Sequence, residues 1–221
     1  MNHRKPLLAS LALLAAAGAA SAAPTVEIRY GQTSGVEITT TNNGAYIEDY
    51  LTGGMQYQVL GGGGSFEAFC VELNQSHALT SYQAYTLGSF AQPQAQLLQG
   101  LFSSSYAGLA SQQDKAAFQT AIWEITHETS GTLDAGTGSF QFAYLNMNST
   151  EAEDSAFLGR VNGLLQAAAG YQGPARYTLT KLENATYQDL LTVSAVPEPQ
   201  SYALMLAGLG ALGWLARRRR G

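Results

Sequence analysis

The sequence contains a single cysteine, Cys70, among its 221 residues. One cysteine cannot form an internal disulfide bond, which excludes the disulfide framework of many small secreted domains. A free and exposed thiol would also be open to oxidation in an oxidising compartment. We therefore expect Cys70 to be buried, to pair with a second chain, or to take part in a specific reaction.

Basic side chains are scarce in the central part of the chain. Residues 23–200 contain all sixteen acidic residues but only five of the eleven basic ones, so five positive and sixteen negative side chains give a formal charge of −11. Such a charge repels nucleic acid and anionic lipid. We therefore expect no nucleic-acid partner. The roughly 178 residues of this part are enough for one domain with its own core.

The first 22 residues have the features of a secretory signal peptide. Arg4 and Lys5 precede an apolar segment over residues 6–20, and Ala20-Ser21-Ala22 places small residues at both positions of a cleavage site. We therefore predict that residues 1–22 are a signal peptide, that signal peptidase cleaves after Ala22, and that the rest of the chain is exported.

The C-terminal segment, residues 196–221, combines three features in a fixed order. A short motif is followed by an uncharged apolar run and then by a basic block: Pro197, Glu198 and Pro199, residues 202–216, and Arg217, Arg218, Arg219 and Arg220. A bilayer requires a spanning segment to be helical, and positive charge stays on the cytoplasmic side. We therefore predict a transmembrane helix over residues 200–216, with the four arginines as its membrane stop.

This three-part arrangement resembles the PEP-CTERM sorting signal of Gram-negative bacteria. The resemblance implies that an exosortase recognises and cleaves the chain near the Pro-Glu-Pro motif, after a transient stay in the inner membrane. It also implies delivery to the cell surface or to the extracellular matrix. The alternative for the same residues is an ordinary tail anchor that is retained.

The central region, residues 23–195, is predicted to be an α+β domain. Turns are predicted over residues 31–35, 42–44 and 53–54. The period-two alternation between turn residues indicates antiparallel strands over 26–30, 36–39, 45–47, 57–60 and 66–73, and again over 177–181 and 187–193. Helical patterns cover 93–102, 112–129 and 150–169, with Ser111 as an N-cap and Asp114 as its capping-box partner. The sum is an antiparallel β-rich domain, sandwich-like or barrel-like, with inserted helices.

Two short motifs of this region carry a possible chemistry. Phe69-Cys70-Val71 lies in a predicted strand, and residues 118–123, Phe-Gln-Thr-Ala-Ile-Trp, lie in a predicted helix. The two motifs resemble those of bacterial surface thioester domains. The resemblance implies an internal thioester between Cys70 and Gln119 and an adhesive function. We predict Phe69, Phe118 and Trp123 as the side chains that shield the bond from water.

The predicted reaction uses these residue types directly. A thiolate attacks the carbonyl of the Gln119 amide and ammonia leaves, which produces a thioester that a target amine or hydroxyl can later attack. The bond is used once, so we expect an attachment module rather than an enzyme, with no cofactor. The target is expected on an exopolysaccharide or on a surface that carries amines or hydroxyls.

Other interpretations of the same residues remain open. In one alternative, Cys70 is a small inert core residue of a non-covalent structural or glycan-binding module. A Cys-dependent hydrolase would pair Cys70 with His77 or His127. Glu124-x-x-His127, with Glu128 beside it, is half of a carboxylate-bridged metal site, but a second Glu-x-x-His is missing from the sequence. We therefore predict no metal site and expect these residues on a solvated helix face.

Overall fold

A computed structural model of the chain describes residues 23–196 together with residues 207 and 209. Seven strands and three α-helices form an α+β domain, as predicted. In chain order the elements are β1 (Thr25–Asn42), β2 (Ala45–Val59), β3 (Ser65–Cys70), β4 (Gln83–Gly88), α1 (Gln94–Ser105), a short 3-10 helix (Tyr106–Gly108), α2 (Gln112–His127), β5 (Phe140–Tyr144), α3 (Glu151–Ala169), β6 (Tyr177–Glu183) and β7 (Leu190–Ala195).

The predicted export and sorting segments lie outside the described residues. They are the signal peptide over 1–22, the motif Pro197-Glu198-Pro199, most of the transmembrane helix over 200–216, and the arginines at 217–220. Within the part of the chain that is described, no helix is both long enough and apolar enough to cross a membrane.

The strands form one antiparallel sheet that closes on itself. The strand order is β2-β3-β7-β6-β4-β1-β5, and β1 also pairs with β2. Strand β1 has two neighbours in succession on its other side, since Ile28 pairs with Gln83 of β4 whereas Asn42 pairs with Phe140 of β5. Six strands therefore form a closed ring, which leaves few unpaired strand edges, and β5 extends the sheet beyond the ring.

The first two strands are longer than the alternation pattern predicts. The predicted turns over residues 31–35 and 53–54 are wrong, because these residues lie inside β1 and β2. A Cβ atom on Gly35 would lie only 1.7 Å from the backbone oxygen of Thr52 in β2, so the two backbones can approach here only because Gly35 has no side chain. The predicted turn at Asn43-Gly44 is confirmed, and both residues have positive φ, 50° and 79°.

The predicted helices are confirmed with shifts of a few residues. The pattern over 93–102 corresponds to α1, the pattern over 112–129 to α2, and the pattern over 150–169 to α3. Strands β6 and β7 are the two predicted closing strands. Strands β4 and β5 were not predicted, because each is only five or six residues long and is fixed by pairing with β1, which is distant in sequence.

Helix α2 is the central helix of the domain. Ser111 Oγ accepts a hydrogen bond from Asp114 N at 3.0 Å, and Ser111 N donates to the Asp114 carboxylate at 2.9 Å. These bonds form the predicted capping box and fix where the helix begins. Helix α2 contacts four strands, β1, β2, β3 and β5, as well as α1 and α3. Every residue from Ala116 to Ile125 is therefore buried, not only one stripe.

Candidate functional site

The structure brings Cys70 and Gln119 into direct contact. The backbone N–H of Cys70 donates to Gln119 Oε1 at 2.8 Å, and Gln119 Nε2 donates to the backbone oxygen of Cys70 at 2.7 Å. Both residues are buried, with 2% and 1% of their surface exposed. The side-chain amide of Gln119 is thus held in one orientation beside the backbone of Cys70.

The end of strand β3 explains why these two residues meet. The β2–β3 ladder ends at the pair Met55–Ala68, whereas Cys70 still pairs with Leu190 of β7. The backbone groups of Cys70 on its other side therefore have no strand partner, and buried backbone groups must be hydrogen-bonded. Gln119, in the middle of α2, supplies both bonds that a further β2 residue would have made.

The Cys70 thiol is a weak acid in this environment. Sγ donates to the backbone oxygen of Glu72 at 2.7 Å. Burial raises the pKa of the thiol to about 12, while its contacts with the Glu72 backbone and the Trp123 indole act in the opposite direction. Cys70 is therefore protonated at neutral pH, and a thiolate would form only during a reaction inside the protein.

A small cavity lies beside the pair. Its volume is about 10 Å³, roughly the space that a single water molecule needs. Strand β2 covers it from one side, and the lining residues are Tyr50, Leu51, Thr52, Gly53, Met55, Cys70, Gln119 and Trp123. Leu51 is 46% exposed, whereas Thr52 is buried. The β2 residues were not predicted, because no local motif links them to Cys70.

The three predicted shielding residues occupy two different places. Trp123 lines the cavity, and its ring makes an edge contact with Tyr50 at a centroid distance of 5.6 Å. Phe69 and Phe118 are buried in a neighbouring aromatic cluster, where their ring centroids lie 5.1 Å apart. Both rings also pack against Phe102. Adjacent strand residues point to opposite faces of a sheet, which explains why Phe69 and Cys70 have different surroundings.

The indole nitrogen of Trp123 is a buried donor without a partner. Among the described residues, no acceptor forms a hydrogen bond with Trp123 Nε1. An unsatisfied buried donor costs about 1–3 kcal/mol. The indole is nevertheless close enough to the Cys70 thiol to favour its charged form and so lower its pKa. The donor is thus available to a sulfur atom that gains negative charge.

A group of buried polar side chains surrounds the site and was not predicted. Gln188 Nε2 donates to the hydroxyl of Tyr50, and burial raises the pKa of Tyr50 to about 12. The hydroxyls of Tyr57 and Tyr85 are buried and have no hydrogen-bond partner among the described residues. Burial also raises the pKa of both tyrosines above the ordinary value, so these phenols are neutral.

The histidines considered for a hydrolase have other contacts. His77 stacks on Tyr30 at a centroid distance of 4.1 Å, and its Nδ1 lies 2.9 Å from the backbone oxygen of Ala78. His127 Nδ1 lies 2.9 Å from Thr126 Oγ1. No hydrogen bond links either ring to Cys70 in the described part of the chain.

The Glu-x-x-His segment is not the solvated helix face that we expected. Glu124 is fully buried, and the Glu128 carboxylate accepts hydrogen bonds from Ser130, Ser139 and Phe140. Helix α2 is covered on several sides, so its C-terminal end is also packed. Within residues 23–196, no group of three or more His, Cys, Asp or Glu side chains is arranged to hold a metal ion.

Comparisons with known proteins concern different parts of the chain. Two solved domains are among the structural matches to this chain. One is the N-terminal domain of the Streptococcus pyogenes pilus tip adhesin Cpa, with a TM-score of 0.44 and 18% identity over 76% of this chain and 99% of that one. The other is the N-terminal thioester domain of a surface protein from Clostridium perfringens, with a TM-score of 0.44 and 11% identity over 78% and 100%.

Sequence comparison is informative at the C-terminus. No curated protein sequence gives a significant match to the chain. The profile of the PEP-CTERM protein-sorting motif matches residues 195–220, as the order of Pro-Glu-Pro, apolar run and arginines predicts. The chain therefore carries a PEP-CTERM protein-sorting motif, which implies processing by an exosortase and export to the cell surface.

Proposed function

We propose that this protein is an adhesin of the surface or extracellular matrix of a Gram-negative bacterium, and that it attaches covalently through a thioester between Cys70 and Gln119. One observation carries the proposal. The Gln119 amide is hydrogen-bonded at both ends to the backbone of the only cysteine, inside a buried site. This arrangement fixes the reacting amide of Gln119 beside the residue that carries the thiol. Positioning of this kind lowers the barrier to a reaction between two groups.

Formation of the thioester begins with attack of the Cys70 sulfur on the amide carbon of Gln119. Negative charge then develops on Oε1. The N–H of Cys70 already donates to this oxygen at 2.8 Å, so it acts as a preorganised oxyanion donor. The thiol proton moves to Nε2, the carbon–nitrogen bond breaks, and ammonia leaves as the carbon–sulfur bond is completed.

Trp123 has two roles in this proposal. Its ring lines the cavity, which supports a shielding role, and its unpartnered N–H can donate to the sulfur when the thiol loses its proton. A hydrogen bond to a charged acceptor is stronger than one to a neutral acceptor. The indole therefore favours the thiolate that attacks Gln119, although burial disfavours it.

Attachment to the target breaks the thioester again. An amine or hydroxyl of the target attacks the thioester carbonyl, the Cys70 thiolate leaves, and the side chain of residue 119 remains bound to the target. The protein's own lysines in the described region are held in ion pairs, since Lys115 contacts Glu67 and Lys181 contacts Glu183 and Asp189. This limits capture by the protein itself.

A reaction with methylamine tests the proposal. The intact protein should add one methylamine at Gln119 and release a free Cys70 thiol, which an alkylating reagent then labels after denaturation. Cys70→Ala is the matched control and should add no methylamine. An unreacted wild-type protein whose Cys70 is alkylated without amine treatment would refute the thioester.

A second candidate function rests on the position of the sulfur. Cys70 Sγ donates to Glu72 rather than lying free, and the raised pKa makes the thiol unreactive at neutral pH. Both facts fit a non-covalent structural or glycan-binding surface module with an inert cysteine. In that case Cys70→Ala would bind exopolysaccharide as well as the wild type does, and an attachment assay with both proteins separates the two functions.

A further inference from the structure

A second cleft lies on another side of helix α2, between the end of α2 and the start of α1. Its volume is about 510 Å³, and most of its walls are apolar. Its lining includes Leu97, Glu124, Ile125, Glu128 and Leu133. None of them lines the small cavity at Cys70, so the two sites are distinct.

Glu124 places an incompletely bonded acid in this cleft. The residue is 0% exposed. Its Oε1 accepts a hydrogen bond from the backbone of Asp134 at 2.9 Å, whereas Oε2 is buried and has no partner among the described residues. Burying such an oxygen without a hydrogen bond is unfavourable. A ligand that donates to Oε2 would remove this cost.

Glu128 gives the same cleft a permanent negative charge. Burial acts to raise the pKa of this carboxyl group, but hydrogen bonds from Ser130, Ser139 and Phe140 together outweigh burial and hold the pKa at about 2. Burial, together with the charges of Glu128 and Asp134, raises the pKa of Glu124 to about 8. The cleft residues from the start of α1 are uncharged. The free protein therefore holds one charged and one protonated carboxyl group in this cleft.

We propose that this cleft binds an alkyl cation, such as the end of an arginine or lysine side chain of a partner, with its charged group on Glu124 Oε2. The apolar stem would contact Leu97, Ile125 and Leu133, and the charged group would also be attracted by Glu128. The charge of −11 over residues 23–200 attracts basic partners in general. The site does not depend on the thioester.

Binding of the cation is coupled to loss of a proton. The cation interacts best with ionised Glu124. At a pH below the pKa of Glu124, binding must therefore release the proton from this residue. Affinity should rise by about tenfold for each pH unit until the pKa is reached, and then remain constant. A neutral ligand would show neither the proton release nor this pH dependence.

A titration of the full-length protein with N-butylguanidinium tests the inference. This cation does not react as an amine, so the state of Cys70 does not affect the result. We expect saturable NMR shifts of the Leu97, Ile125 and Leu133 methyl groups. Calorimetry in buffers of different ionisation enthalpy should show that nearly one proton is released at pH 7.

Two variants make the test specific. Glu124→Gln keeps the acceptor for Asp134 and should weaken binding at pH 9 at least tenfold, with no proton release. Glu48→Gln removes an exposed carboxylate of β2 and should bind as the wild type does. Equal affinity of Glu124→Gln and wild type at pH 9, or methyl shifts that do not saturate, would overturn the proposal. If Glu124→Gln does not fold, a flat pH profile of the wild type overturns it equally.

Discussion

The side-chain amide of Gln119 takes the position of a strand partner for Cys70, accepting its N–H at 2.8 Å and donating to its carbonyl at 2.7 Å. A single glutamine thus completes the end of strand β3 and, in the proposed function, supplies the electrophile for the thiol of the same residue. Structural and chemical roles coincide at this contact, so variants at either residue report on both.

Replacement of Gln119 should cost stability as well as chemistry. Gln119→Ala leaves the N–H and C=O of Cys70 buried without partners and opens a cavity, so we expect a loss of about 3 kcal/mol in the free energy of unfolding. Gln112→Ala, at an exposed position of the same helix, should change it by less than about 0.5 kcal/mol. Urea unfolding measures both. Equal stabilities of the two variants would mean that the Gln119–Cys70 contact is absent in solution.

Removal of the Trp123 donor should slow thioester formation. Trp123→Phe keeps an aromatic cover but removes Nε1–H, so the thiolate loses its hydrogen bond and the pH at which the reaction becomes fast should rise. Release of ammonia during refolding at several pH values measures this effect. Tyr50→Phe, which keeps the ring contact with Trp123, is the control for packing. An unchanged pH profile for Trp123→Phe would assign the indole a shielding role only.

The two glutamates at the end of α2 should give opposite pH dependences. The pKa of Glu124 is raised to about 8 in the folded protein from an ordinary value of 4.5. Between these values the unfolded chain is ionised while the folded protein still holds the proton, so stability falls as pH rises, by at most about 1.4 kcal/mol per unit. Glu124→Gln should therefore be more stable than wild type at pH 8, and this advantage should disappear below pH 4.5.

Glu128 should behave in the reverse way. The pKa of Glu128 is lowered to about 2 from an ordinary value of 4.5. Its ionised form therefore stabilises the folded protein above pH 4.5, and this stabilisation is lost as the pH falls toward 2. Glu128→Gln should be less stable than wild type at pH 7 and equally stable at pH 2. Thermal unfolding of both variants across this range checks the signs. If the stabilities of Glu124→Gln and wild type changed with pH in the same way, the burial of Glu124 would be contradicted.

A substitution of Gly35 tests how closely β1 and β2 approach, and a substitution of Gly159 in α3 is its control. Gly35→Ala would bring its Cβ to 1.7 Å from the Thr52 oxygen, so the strands must separate at the residues that cover Cys70. We expect a loss of about 2 kcal/mol or more. Gly159→Ala, inside α3 with nothing within 4 Å of its new Cβ, should stabilise by about 0.5–1 kcal/mol. A Gly35→Ala variant as stable as wild type would show that the backbones of β1 and β2 lie further apart at Gly35 than the structure indicates.

Local patterns in the sequence predicted helix α2 well. Ser111 and Asp114 mark where the helix begins, and the spacing of Phe118, Ala121 and Ile122 identifies a packed face. The contact between Gln119 and Cys70 could be anticipated only from the resemblance to thioester domains, because the two motifs lie in separate elements and no spacing rule connects them.

Features that depend on pairing between strands distant in the chain could not be predicted from local sequence patterns. The β2 segment over residues 50–55 lines the site because β2 pairs with β1 and β3. Strand β4 is fixed by pairing with β1 and β6, and β5 by pairing with β1. Glu124 was expected in solvent, since a glutamate on a helix usually is. Its burial follows from the 131–134 loop, whose backbone binds its carboxyl group, and from packing around the whole of α2.

The mass of the exported protein tests the central claim most directly. After peptide mapping has assigned both termini, the intact mass of wild type should be lower than the mass of its sequence by one ammonia molecule. A digest should contain the peptides of Cys70 and Gln119 joined together, and Cys70→Ala should have its full sequence mass. A wild-type protein of full mass, with separate Cys70 and Gln119 peptides, would contradict the thioester.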